Sequence, residues 1–193
     1  DDHYVTARDM AKISKAALEN ETFRYVACKP NYYIAPTNKD KHGKELWNHH
    51  KMVKRTMFNY DGVEGGKTGY TTKAGGTLVT FAKRGDQELI AVDLCAHGYE
   101  LYEDTIKMLN YGFKNYKTIA PFKTMNVTLK DDTYGFLKTG NELFPYKIPL
   151  KHLNDVTVML EKNQSASKLT YKCKDNKYII SYDGKQIGSV KLH

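Results

Sequence analysis

The chain has 193 residues, enough for one large domain or two small ones. Hydrophobic residues at 40% and charged residues at 27% are ordinary for a folded protein and exclude collagen-like or wholly disordered classes. The net charge of +8 suits either anionic surroundings or a simply soluble surface. The lysines are scattered rather than blocked, so no nucleic-acid stripe stands out and no nucleic-acid partner is expected. Cys28, Cys95 and Cys173 are far apart and form no Cys-x-x-Cys, which leaves metal, redox and disulfide frameworks unsupported. No apolar run approaches the length of a membrane span. Asp1-Asp2-His3 offers no initiator Met, and the expectation is a chain cut out of something longer.

In chain order, Thr6-Ala7-Arg8-Asp9 reads as a helix start, with Thr6 as N-cap and Asp9 in the capping-box position. Met10, Ile13 and Ala17 then predict one apolar face. His3 and Tyr4 fix the approach to this helix. Phe23–Cys28 and Tyr32–Ala35 read as short strands separated by Lys29-Pro30-Asn31, and residues 36–44 as a basic surface loop. His42, His49 and His50 invite a metal reading. Adjacent histidines point apart on a helix or a strand, and no carboxylate or cysteine stands at ligand spacing, so no metal is expected.

The stretch from Val63 to Gly76 holds five glycines and three threonines, with Lys67-Thr68-Gly69 at its centre. Gly66-Lys67-Thr68 is a partial match to a phosphate-cradling loop. That motif needs a glycine where Asp61 stands and must open a helix, whereas strand-forming residues follow here. Thr77–Lys83 and Glu88–Leu94 read as two strands joined by a turn at Arg84-Gly85-Asp86. Two readings stay open at this point: the Lys-Thr-Gly strand of penicillin-interactive serine enzymes, or a glycine-rich hairpin carrying a chance tripeptide. Beyond a turn at Cys95–Gly98, Tyr102, Ile106, Leu109 and Phe113 form one helical stripe, expected to lie across the sheet and to end at Gly112.

From Lys117 the helical period disappears. Short alternating runs appear at 125–130, 156–162, 169–174, 178–182 and 186–192, separated by Asp131-Asp132, Asp175-Asn176 and Asp183-Gly184. A small all-β domain is expected there. The division predicted is 1–117 and 118–193, with the junction at Thr118–Pro121.

The run from Tyr60 to Gly75, the opening His3–Ala11, Leu78-Val79, Leu89–Val92 and Met108–Phe113 together closely resemble the D-alanyl-D-alanine carboxypeptidases, the low-molecular-mass penicillin-binding proteins. The resemblance spans about the first 117 residues. It implies part of an α/β (α+β) penicillin-binding, β-lactamase-like domain with an antiparallel sheet, followed by a β-sandwich. It implies a serine enzyme without a cofactor, acting on the peptidoglycan pentapeptide outside the cytoplasm and acylated by β-lactam antibiotics when complete. A membrane would be met only through a segment not present in this chain.

By the same resemblance, Lys67 places a positive charge beside the catalytic groups and the substrate carboxylate, and Thr68 donates a hydrogen bond to that carboxylate. Gly69 lets the substrate backbone approach, and the Tyr70 backbone N–H is an oxyanion donor. The family's nucleophile opens a Ser-x-x-Lys motif on a helix, and a Ser-x-Asn motif follows. The one Ser-x-x-Lys here is Ser165–Lys168, in a polar connection within the predicted β domain and with no expected helix. No Ser-x-Asn occurs. The expectation is an N-terminally truncated fragment, inactive alone. The alternative is a non-catalytic module holding envelope polymers. One departure concerns an arginine often found ahead of the last helix: counting back from Tyr111-Gly112-Phe113 puts Leu101 there, beside Glu100.

Overall fold

The computed structural model describes residues 3–54, 57–120, 135–139, 142–146, 156–174 and 177–191. The chain divides into two compact units, Asp1–Lys114 and Asn115–His193.

The first unit is organised around an antiparallel three-stranded sheet, β3 (Val63–Thr71), β4 (Gly75–Arg84) and β5 (Gln87–Ala96), in that order. Tight turns join the strands, and Gly75 and Gly85 take the positive φ that these reversals require. Strand β4 is central, and residues Leu78 to Ala82 are all buried. Its alternation sends Leu78 and Ala82 to one face, against the helix α3 (Glu100–Asn115). Val79 and Phe81 point to the other, where they meet Leu18, Met10 and Ala27 from helices α1 (Ala7–Leu18) and α2 (Glu21–Ala27). The α3 stripe behaves as its spacing predicts: Tyr102, Leu109 and Phe113 are buried, with Thr105 beside them.

Several local expectations are corrected. Residues 23–28 are not a strand; Asn20 caps α2 by accepting from the Phe23 N–H at 3.0 Å, and Arg24 turns inward. Its guanidinium lies 3.1 Å from Glu64 and 2.7 Å from Glu88, tying α2 to β3 and β5. Glu64 reaches it from a bulge in β3 between Val63 and Gly65. On α1, Thr6 caps as expected, its hydroxyl accepting from the Asp9 N–H at 3.1 Å. The buried face is Ser14 and Leu18, however, and Ile13 is exposed. Strand β5 runs through Ala96, because Cys95 forms a bulge at φ +65° opposite Gly76 and Thr77. Gly112 does not end α3. A Cβ there would stand 2.6 Å from Leu89, so glycine serves helix–sheet packing.

Strands β1 (Asn31–Ile34) and β2 (Lys44–Trp47) form a separate antiparallel hairpin, exposed at every position.

The second unit opens with β6 (Tyr116–Ile119), paired antiparallel to β9 (Val158–Glu161). Strands β7 (Gly135–Thr139) and β8 (Glu142–Tyr146) pair with each other in a segment where no strand was expected. Strands β10 (Leu169–Lys174), β11 (Lys177–Tyr182) and β12 (Lys185–Lys191) form an antiparallel sheet. Asp183 and Gly184 both have positive φ, the signature of a type I′ hairpin turn. The core gathers Val158, Leu160, Leu169, Tyr178 and Ile180. The expected run 125–130 and the turns at 131–132 and 175–176 lie outside the described residues.

Candidate active site

Lys67-Thr68-Gly69 lies in the middle of β3, which among the described residues pairs on one side only, with β4. An edge strand presents unpaired backbone N–H and C=O groups to an incoming extended chain. The β3 side chains suit that role. Gly65 and Gly66 are buried, while Lys67, Gly69 and Tyr70 are exposed and Thr68 is half-buried. The Lys67 ammonium donates to the Thr68 carbonyl. The Tyr70 ring projects outward with 76% of its surface exposed, next to its backbone N–H.

Gly69 has a reason to be glycine inside the sheet as well. Its cross-strand partner is Thr77, and a Cβ at position 69 would stand 2.5 Å from the Thr77 hydroxyl oxygen. Gly66 is still more confined: a Cβ there would meet the His50 ring at 2.6 Å. So β3 can lie flat against β4 only because these positions carry no side chain.

The scaffold behind the strand is held by Asn48 and His50. Asn48 fastens the approach to β3: its amide donates to the Ala27 and Lys29 carbonyls at 3.3 and 3.0 Å, and its oxygen accepts from the His50 N–H at 2.9 Å. His50 is fully buried, its Nε2 lies 2.9 Å from the Thr80 hydroxyl, and burial lowers its pKa to about 4. It is therefore neutral at ordinary pH. His42 and His49 are exposed, and among the described residues no group of three or more histidines, cysteines or carboxylates stands ready for a metal ion.

At the position where an arginine was looked for, Leu101 packs against the end of β4, 2.8 Å from where a Gly76 Cβ would be, while Glu100 is exposed. Two other arginines are engaged elsewhere: Arg24 with Glu64 and Glu88, Arg84 over the Tyr60 and Phe113 rings and on the Asp61 carbonyl. A cleft of about 650 Å³ lined by Arg24, Cys28, Asn31 and Glu64 includes none of the residues Lys67–Tyr70. Burial and the nearby Glu64 carboxylate raise the Cys28 pKa, which suits a packed thiol more than a reactive one.

Ser165–Lys168 forms a single 3₁₀ turn, where only a connection was expected. Ser165 caps that turn through the Ser167 N–H, and the Lys168 ammonium lies 3.1 Å from Asp183. Both side chains are thus occupied locally on an exposed turn.

Comparison with known proteins bears on these features. The D-alanyl-D-alanine carboxypeptidase family model matches residues 1–98. The D-alanyl-D-alanine carboxypeptidase DacF of Bacillus subtilis is 29% identical over 98% of this chain and 46% of its own length. DacC of Escherichia coli is 32% identical over 62% of this chain and 28% of its own. The chain thus spans about half the length, or less, of these relatives. Among solved structures, a mutant of the Streptomyces K15 DD-transpeptidase superposes with a TM-score of 0.53 at 30% identity, covering 58% of this chain and 44% of that one. Penicillin-binding protein 6B from Escherichia coli gives 0.52 at 21% identity over 95% of this chain and 48% of its own, a likeness of fold. The first unit therefore has a penicillin-binding, DD-peptidase-type α+β fold with a β-rich region after it, and the chain belongs to the D-alanyl-D-alanine carboxypeptidase family.

Proposed function

We propose that this chain is the substrate-holding part of a serine-type enzyme that removes the terminal D-alanine of peptidoglycan pentapeptides through an acyl-enzyme. The observation that supports this most is Lys67-Thr68-Gly69 on an edge strand inside the family-matched residues. An extended peptide adds to such an edge through backbone hydrogen bonds. Lys67 supplies positive charge to the catalytic groups and, with the Thr68 hydroxyl, holds the substrate carboxylate. Gly69 keeps the approach open, and the Tyr70 N–H serves as one of two oxyanion donors. With Leu101 packed against Gly76, carboxylate recognition rests on Lys67 and Thr68, or on an arginine elsewhere.

The nucleophile in this reading is a serine outside the 193 residues, since Ser165 and Lys168 are bound to other partners. This chain alone then forms no acyl-enzyme. The first unit is assigned as the strand-bearing part of the catalytic domain, and the second as a β-sandwich that follows it. The enzyme works outside the cytoplasm, on the outer face of the membrane or secreted, in wall synthesis and cell shape. β-Lactams are its covalent ligands, and nucleic acid is not a partner.

A second reading, a non-catalytic module for envelope polymers, is favoured by the exposed β1–β2 hairpin, where Tyr32, Tyr33 and Trp47 stand clear of any core. Intact-mass spectrometry after incubation with penicillin separates the two. The 193-residue chain should gain no adduct. A longer gene product that includes an upstream Ser-x-x-Lys should gain one and release D-alanine from a pentapeptide. A longer product that does neither leaves the binding module as the better reading, and an adduct on Ser165 would return the nucleophile to this chain.

A further inference from the structure

The buried group that the proposed chemistry does not use is His50. It lies directly behind the candidate strand. Its ring occupies the volume that a side chain at position 66 would need, with Cδ2 and Nε2 at 2.6 and 2.7 Å from that Cβ site. Gly66 immediately precedes Lys67, and its cross-strand partner is Thr80. The same ring bonds Thr80 through Nε2 at 2.9 Å and meets Tyr102 of α3 edge-on, with centroids 5.9 Å apart at 82°. One imidazole therefore touches β3, β4 and α3. It is held from behind, because Asn48 accepts from its backbone N–H and the N–H groups of Val53 and Lys54 donate to its carbonyl.

Packing alone does not explain a histidine here. A hydrocarbon ring would fill the same space, and it would not leave Nδ1 buried without a partner among the described residues, as the imidazole does. What a hydrocarbon ring would lose is the bond to Thr80, whose own side chain is fully buried, and the hydrogen bond to the Val79 backbone. A buried donor without a partner is harder to tolerate than an acceptor, so the proton belongs on Nε2 and the bare lone pair on Nδ1.

We propose that His50 is a positioning residue for Lys67-Thr68-Gly69: wedged between Gly66, Thr80 and Tyr102, its imidazole sets where the backbone of β3 lies against β4. The consequence for catalysis rests on the function proposed above; the structural statement does not.

The test compares amide hydrogen exchange in the 193-residue chain with that in His50→Ala and Thr80→Val. A residue that merely stabilises the fold changes all sheet amides alike, because exchange then follows global opening. A positioning residue acts on one strand. The β4-bonded amides among Gly66–Gly69 should exchange about tenfold faster or more in His50→Ala, measured against the amides of Ala91–Asp93 in β5, with a smaller change of the same pattern in Thr80→Val. A uniform change across β3 and β5, or none, overturns the proposal. If His50→Ala does not fold, Thr80→Val decides by the same comparison, since it removes the hydroxyl and keeps the volume. In the longer enzyme, His50→Ala should slow penicillin acylation about tenfold or more through misplacement of Lys67, and His50→Asn should recover part of the loss. Unchanged acylation would overturn the catalytic consequence. A parent enzyme that never acylates would sink the functional reading instead, and the exchange pattern would still decide the role of His50.

Discussion

Strands β3 and β4 are neighbours in one sheet and opposite in construction. Strand β4 buries five residues in succession and receives helices on both faces. Strand β3 places glycine at 65, 66 and 69, pairs on one side only among the described residues, and exposes Lys67 and Tyr70. The difference separates stability from recognition. Most of the side chains that hold the unit together sit on β4, and the edge of β3 that carries Lys67, Thr68 and Tyr70 is the surface proposed to meet a ligand.

The division predicts unequal responses to substitution. Phe81→Ala removes a large side chain at 2% exposure from the centre of β4. It should cost about 3–5 kcal/mol in urea unfolding of the first unit; a loss under ~1 kcal/mol would show that β4 is not the keystone.

His50, at the junction of the two strands, should make stability depend on acid. Its pKa falls from 6.5 in the unfolded chain to about 4 in the folded one, because burial disfavours the charged ring. The unfolded state therefore binds the proton first. The contribution is fully present above pH about 6.5 and is lost as the pH falls from there toward 4. It amounts to about 3 kcal/mol. Urea midpoints across that range should fall in the parent and fall less in His50→Asn; parallel curves would remove His50 from the acid response.

On β3 the pattern should reverse. Lys67→Ala should leave the thermal midpoint nearly unchanged, because the side chain is exposed. In the longer enzyme it should lower penicillin acylation about a hundredfold, on the order of 3 kcal/mol of transition-state stabilisation. Full acylation in that variant would take Lys67 out of the mechanism, and a large loss of stability would blur the division between the strands.

Thr6→Ala touches neither strand and sets the lower end of the scale. The hydroxyl caps α1 by accepting from the Asp9 N–H, and its loss should cost about 1 kcal/mol. No measurable change in the denaturation midpoint would mean that α1 is held by packing alone.

What the sequence disclosed follows how local each signal is. The Thr6 cap, the α3 stripe, the β4–β5 hairpin and the Asp183-Gly184 turn depend on neighbours a few residues apart and were legible. Residues 23–28 were misread because Phe23, Tyr25 and Val26 have strand-like content, while the helix is fixed by the Asn20 cap and by distant partners of Arg24, Glu64 and Glu88. Ile13 fitted the helical period but lies on the exposed side of α1. Gly112 resembled a helix stop, and only the approach of Leu89 from β5 explains it. In the candidate site, the Lys-Thr-Gly motif announced itself by composition. His50 did not, because a histidine beside another histidine suggests metal before it suggests a buried wedge, and its partners stand 16 and 30 positions away, at Gly66 and Thr80.

The meander of β3, β4 and β5 also bears on how the chain acquires its structure. Each strand pairs with the next along the chain through a tight reversal, so closing these contacts restricts little of the polypeptide. Sheets assembled from such near neighbours form quickly compared with sheets that join distant segments. The sheet that carries the proposed substrate-holding strand is thus written in one contiguous stretch, from Val63 to Ala96. Its pairing can begin as that stretch leaves the ribosome, before the second unit has been completed.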